Sequence, residues 1–249
     1  MKKLLTTNDK IRIVLTLGEG IMDHLWGADG SMDWYYRPWS IINVSRSAFR
    51  TAIFRQINTG EITKIIDPKK GAVYRMSPKG QSRFYRNYPL ARLRNEPWDG
   101  KWRMVIYDLP CKQNNKRNYL RKKLIELGFG CYQKSVYVTP LDVLAELQEY
   151  IENHHLTELV VVFEGNRIFG EDIKMLAERL WNLGEINEKY FELEGKLKSC
   201  ELRGKLKDEY GQLWDEFSNL LLKDPFLPAD FLPDNWVGER VKARMLAGR

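Results

Sequence analysis

The chain has 249 residues, 43% hydrophobic, with 8 Trp and 12 Tyr. That is enough for packed cores and excludes a disordered chain, and no apolar run approaches the roughly 20 residues of a membrane span. Net charge is +7, but residues 1–97 carry 17 Lys+Arg against 8 Asp+Glu, a net +9, and the remainder is slightly acidic. An excess confined to one segment points to a polyanionic partner for that segment.

The opening MKKLLTTNDK is basic, but polar residues follow at once. No signal h-region forms, and the cytoplasm is the expected location. Cys111, Cys131 and Cys200 are far apart and odd in number, which fits neither a disulfide framework nor a zinc site. No cofactor motif occurs: there is no glycine-rich phosphate loop, nucleophile elbow or clustered metal ligand set.

Thr6, Thr7 and Asn8 suit a helix N-cap, and Ile11, Val14 and Leu15 mark one face of the helix that follows. Ile21 to Trp26 continue the apolar spacing. The aromatic stretch Trp34–Ser40 fits no element. Ser45 then caps a predicted helix from Arg46 to about Asn58. Its inner face is Phe49, Ala52, Ile53 and Ile57. Arg46, Ser47, Arg50 and Thr51 fall opposite, with Arg55 at the flank, and Gly60 ends the helix. Two short strands follow, Glu61 to Ile66 and Ala72 to Met76, joined by a turn carrying Lys69 and Lys70. Ser77-Pro78-Lys79-Gly80 starts a closing helix or turn.

Helices followed by a basic-tipped hairpin make a winged helix-turn-helix. In that arrangement the polar face of the second helix enters the DNA major groove. The pattern assigns Arg46, Ser47, Arg50 and Thr51 to base edges, and Arg55, Lys69, Lys70 and Arg75 to phosphates.

Residues 84–100 read as a linker. Residues 101–168 read as a βαββαβ, ferredoxin-like domain. A strand from Trp102 to Tyr107 comes first, then a Lys/Arg-rich helix with Leu120, Leu124 and Leu127 on one face, stopped by Gly128. If Phe129–Tyr132 is a separate strand, the strand Gln133–Thr139 is the third. Thr139-Pro140-Leu141-Asp142 looks like a helix start with Thr139 as N-cap, and Leu159–Phe163 is the last strand. Asp108, at a strand end, is the one acid with a catalytic reading: beside a dimer mate it could hold a divalent metal such as Mg²⁺. His154 and His155 suit a helix C-terminus better than a metal site. From Glu171 to about Leu222 apolar residues recur at helical spacing. Pro225, Pro228 and Pro233 then interrupt, and a last helix spans Val237 to Ala247.

Three stretches carry a resemblance to the PaaX family of bacterial transcriptional repressors. In the N-terminal part they are Ser45, Arg50, Arg55, Gly60, the hairpin with Tyr74, and Ser77-Pro78-Lys79-Gly80. In the centre they are WRMVIYDLP, LRKKLIELGFG and QKSVYVTP, which also look like the small CRISPR-associated protein two. The C-terminal RLWNLGEINEKY and DPFLPADFLPDNWVGERV are the most specific. In place of the family's usual aromatic after the helix-ending glycine, this chain has Glu61-Ile62. The resemblance implies a homodimer that binds double-stranded DNA as a repressor and is released by a small effector of acyl-CoA type. The expected fold is therefore α+β and multidomain: a winged helix at 1–83, the linker, the ferredoxin-like domain, and a helical C-terminal domain at 169–249. The alternative is a metal-dependent nuclease, or a CRISPR-adaptation protein, working through Asp108. A DNA-binding protein without any effector is a third reading.

Overall fold

The computed structural model of the chain describes residues 5–17, 42–67, 71–93, 96–110, 114–167, 170–203 and 206–247. The readings of Ile21–Trp26, Trp34–Ser40, the turn lysines Lys69 and Lys70, and Cys111 lie outside those residues. Helix and sheet are mixed, as expected of an α+β chain. The chain forms two compact units, neither continuous in sequence.

The first unit comprises residues 1–84, 185–224 and 236–249. It opens with α1 (Thr7–Leu17), whose start is a capping box: the Thr6 hydroxyl donates to Asp9 at 2.6 Å and accepts from the Asp9 N–H at 3.2 Å. Ile11, Arg12, Ile13 and Val14 are all buried, while Leu15 is only half-buried. A one-faced amphipathic helix was expected. Instead α1 is covered on several sides, by α2 (Arg46–Asn58) and by β2 of the hairpin β1 (Ile62–Asp67) and β2 (Gly71–Met76). From a further side, the Lys10 ammonium pairs with Asp215.

Arg12 is tolerated inside because Glu61 meets it. The buried Glu61 carboxylate accepts from the Arg12 guanidinium at 2.5 Å, from Arg83 at 2.6 Å and from the Thr59 hydroxyl at 3.2 Å. Its backbone carbonyl accepts from the Ser77 N–H at 2.9 Å. Ser77 in turn caps α3 (Pro78–Asn87) by accepting from the Gly80 N–H at 3.1 Å. Gly80 is needed here, since a Cβ would sit 2.2 Å from the Glu61 carbonyl oxygen.

The rest of the unit is helical. Residues of α8 (Leu183–Leu202), α9 (Leu206–Leu221) and α10 (Gly238–Ala247) bury Tyr190, Leu193, Leu197, Trp214, Phe217, Val241 and Met245. Leu202, expected in the same apolar stripe, points outward at 89% exposure. Charges are enclosed here too. Lys242 is buried against Asp224 at 2.8 Å, with the Tyr190 hydroxyl donating to the same carboxylate at 2.8 Å. Arg240 grips Glu194 in bidentate fashion at 2.7 and 3.0 Å.

The second unit comprises residues 85–184 and 225–235. The short α4 (Leu90–Leu93) lies in the segment read as a linker. A four-stranded sheet follows the order β3 (Trp102–Tyr107), α5 (Asn114–Glu126), β4 (Gly130–Gln133), β5 (Val136–Thr139), α6 (Leu144–Asn153), β6 (Val160–Gly165). Spatially the order is β4-β5-β3-β6, with every neighbouring pair antiparallel. Gly128 (φ 80°) ends α5's last turn. Val105, Tyr107, Tyr137, Leu120, Leu124, Leu147 and Ile151 fill this core.

The start of α6 departs from expectation. The helix begins at Leu144, after Val143, with no side-chain cap. The Thr139 hydroxyl is used elsewhere: it accepts from the Leu141 N–H at 3.2 Å and donates to the Gly128 carbonyl at 3.1 Å, tying β5 to the end of α5. His154 ends α6, with its ring against that of Tyr150, as suits a helix terminus. On the far side of the sheet, α7 (Ile173–Trp181) crosses β4 closely. A Cβ on Gly130 would be 2.8 Å from Leu180, and the Trp181 indole donates to Gly128 at 3.1 Å. Phe231, in the 3₁₀ turn Ala229–Phe231, packs edge-on against Trp98 and Trp102.

Burial pushes the Glu61 carboxyl up, but the hydrogen bond and charge of Arg12, with Arg83 and Thr59, outweigh it, so Glu61 titrates below the ordinary glutamate value. Arg240 first, then Lys198, hold Glu194 down to about 2 against the cost of burial. Both carboxyls bind protons less readily folded than unfolded, so their stabilisation is full above the unfolded glutamate pKa and is lost as pH falls toward the folded values. Urea unfolding of the full chain should therefore show a midpoint that drops steeply from about pH 4.5 down. Glu61→Gln should destabilise the first unit by about 3 kcal/mol, because Arg12 is left buried and undercompensated. A midpoint equal to that of the native chain at pH 7 would refute this.

Candidate nucleic-acid interface

The geometry of α2 follows from its ends. Ser45 has extended backbone (φ −68°, ψ 151°), and its hydroxyl accepts from the Ala48 N–H at 3.2 Å. At the other end Thr59 caps the helix, and Gly60, at φ 72°, turns the chain away. That end is further held by the Lys79 ammonium on the Thr59 carbonyl at 2.7 Å and the Ser77 hydroxyl on the Gly60 carbonyl at 2.6 Å. A cation at a helix C-terminus is favourable in itself. The result is a fixed 13-residue helix.

Its inner face is Phe49, Ala52, Ile53 and Gln56. Ile57, expected there, is only half-buried. Gln56 takes the inward position, its amide reaching the Asn8 side chain at 3.4 Å. Arg46, Ser47, Arg50, Thr51 and Arg55 are all exposed, as their spacing requires. Ser47, Arg50, Thr51 and Arg55 line one shallow hollow of about 670 Å³, together with Phe54, Asn58 and Thr59. Arg46 is exposed at the first turn and does not line the hollow.

Phe54 and Asn58 were missed in the sequence, though the signal was there. Phe54 lies four residues after Arg50 and seven after Ser47, on the polar face, where an aromatic has no folding role. It is 66% exposed. The helix RSAFRTAIFRQIN holds three arginines and no acid. Among the described residues neither Arg50 nor Arg55 has a carboxylate partner. A surface with unneutralised guanidinium groups, hydroxyls and one exposed ring can meet phosphates, base edges and methyl groups together.

Arg75 is exposed on β2, opposite Thr63 in the hairpin register, so the structure brings it to the hairpin and not to the α2 hollow. Lys69 and Lys70 lie outside the described residues. Asp108 is exposed just after β3, with its backbone N–H donating to Leu159 at 3.0 Å. No group of three or more His, Cys, Asp or Glu side chains able to hold a metal occurs among the described residues. No helix among them is long and apolar enough to cross a membrane.

Comparison with known proteins bears on the same chain. A family model described as the PaaX protein central Cas2-like domain matches residues 95–177. A second, the PaaX-like protein C-terminal domain, matches residues 181–247. The transcriptional repressor PaaX of Escherichia coli is 26% identical over 212 residues, a match covering 78% of this chain and 65% of that protein. An uncharacterized Mycobacterium tuberculosis protein of known structure superposes with a TM-score of 0.54 at 22% identity, over 94% of this chain and 95% of its own, and so shares the fold. With both domain models matched in order, and a repressor of the same name among its relatives, the chain belongs to the PaaX family.

Proposed function

We propose that the protein is a sequence-specific DNA-binding transcriptional repressor that acts as a homodimer and is released by a small effector. The observation that carries this is the outer face of α2. Ser47, Arg50, Thr51 and Arg55 share one solvent-facing hollow on a helix whose other face is locked into its unit. That helix lies in the segment holding the chain's basic excess. The name of the E. coli relative, a transcriptional repressor, supports the same reading.

In this reading α1, α2 and the β1–β2 hairpin act as a winged helix. Arg50 and Thr51 take base edges with Ser47 and Arg46, and Phe54 packs on a thymine methyl. Arg55, Lys69, Lys70 and Arg75 neutralise backbone phosphates. The β3–β6 sheet, ferredoxin-like in its strand order, joins reader to sensor. The effector favours a dimer whose two α2 helices no longer match the half-site spacing. Its acyl-CoA character is what the family resemblance adds. Among the described residues no group able to hold a metal supports the nuclease reading of Asp108.

Gel retardation of the gene's own upstream DNA tests the proposal, with an affinity that falls steeply as salt is raised. No retardation at low salt would sink it. Arg50→Ala should weaken specific binding by about 1–3 kcal/mol and relax preference at the base it reads, whereas Lys70→Ala should weaken all sequences about equally. Phe54→Ala should leave non-specific affinity unchanged and lose discrimination at a thymine position, read by competition with substituted duplexes.

A further inference from the structure

The two edges of the four-stranded sheet are built differently. On the β4 edge the register against β5 shifts between Cys131 and Gln133, and α7 lies across Gly130. Bulges and covering elements of this kind are how proteins keep sheet edges from pairing. Among the described residues the β6 edge has neither. Its register against β3 is unbroken from Val160 to Gly165, and it contains no proline and no lysine. It is also apolar: Val161, Val162 and Phe163 are 53%, 37% and 51% exposed.

Its backbone polarity can be assigned residue by residue. The Asp108 N–H donates to the Leu159 carbonyl, whereas the Tyr107 N–H donates away from β6, to Ser135. Alternation along an antiparallel ladder then turns the backbone groups of 159, 161, 163 and 165 toward β3. The N–H and C=O groups of Val160, Val162 and Glu164 point outward, and among the described residues no backbone partner meets them.

We infer that β6 is the self-pairing edge of a dimer, joining antiparallel to β6 of a second copy of this chain with Val162 on the two-fold axis. The inference supplies the contact for the homodimer proposed above and rests on that reading. Symmetry narrows the register. A two-fold axis between antiparallel strands sets one residue opposite its own copy, and where that residue's backbone groups point outward the pair on the axis is itself hydrogen-bonded. Val162 is the central one of the three candidates, and pairing there sets Val160 opposite the partner's Glu164 and the reverse. All three residues then bond across the dyad.

Val161 lies on the same sheet face as Ile106, its register mate on β3. Across the dyad Val161 would face the partner's Phe163 on that face, covering both apolar side chains. Charge agrees as well. Pairing about Val162 sets Glu158, before the strand, opposite the partner's Asn166, one residue from the partner's Arg167. Among the described residues neither Glu158 nor Arg167 has an ion-pair partner within its own chain. A second copy is thus complementary in backbone, apolar surface and charge.

Light scattering on the full chain at about 10 μM should give twice the 29.4 kDa chain mass. Val162→Lys and Val162→Pro should each halve it with an unchanged circular dichroism spectrum. The Val162 N–H bonds nothing in β3, so the proline costs the sheet no hydrogen bond. Ile125→Lys, on the exposed face of α5, should remain dimeric. A monomeric native chain, or a mass unaltered in both Val162 variants, would overturn the inference. Should either variant unfold, amide exchange of the native chain decides. The Val162 and Glu164 N–H groups should be protected in the dimer, and their rapid exchange at full dimer occupancy refutes the pairing. Gel retardation run in parallel separates the two ideas: a dimer lost in Val162→Lys with no DNA binding by the native chain keeps the edge and removes the repressor, and DNA binding with dimers unaffected does the reverse.

Discussion

The first unit depends on one buried carboxylate. Glu61 joins the end of α2 to α1 through Arg12 and to α3 through Arg83, and its backbone carbonyl receives the residue that caps α3. A charge so enclosed is stable only with its partners in place, so each of these helices is fixed relative to the others by the same group. The consequence for α2 is orientation. Its outward residues are held on a rigid base, as a precise binding surface requires.

Much of this was legible in the sequence. The Ser45 cap, the Phe49-Ala52-Ile53 face and the glycine that ends α2 all act through local rules, and the helix bounds follow from them. The βαββαβ order was legible because strands and helices alternate there with clear stop signals. What failed was non-local. Arg12 gave no sign of being interior, since its partner lies 49 residues away. Glu61 looked like a departure from the family pattern, yet it holds the unit together. Thr139 carried a helix-start signature, but its hydroxyl bonds the far end of α5, and tertiary demand overrode a local preference.

The candidate site was half legible. Periodicity alone placed Arg50, Thr51, Ser47 and Arg55 on one surface. It could equally have flagged Phe54, but an apolar residue is read by habit as core. Only the exposure of the ring shows that the fold makes no use of it. The β6 edge was not legible at all: Leu159–Phe163 reads as a buried strand, and which strands end at a sheet border is decided by topology.

The division of the chain into units has a consequence for its folding. The helices that complete the first unit come from residues 185–224 and 236–249, so Asp215 meets Lys10 across 205 positions of sequence. The second unit, apart from residues 225–235, is continuous and closes through neighbouring strands. On a ribosome the central sheet can therefore form while synthesis continues, whereas the pairing of Lys10 with Asp215 waits until α9 has emerged. The first unit is then the last part of the molecule to be completed, and a chain interrupted before its final helix would carry an incomplete one.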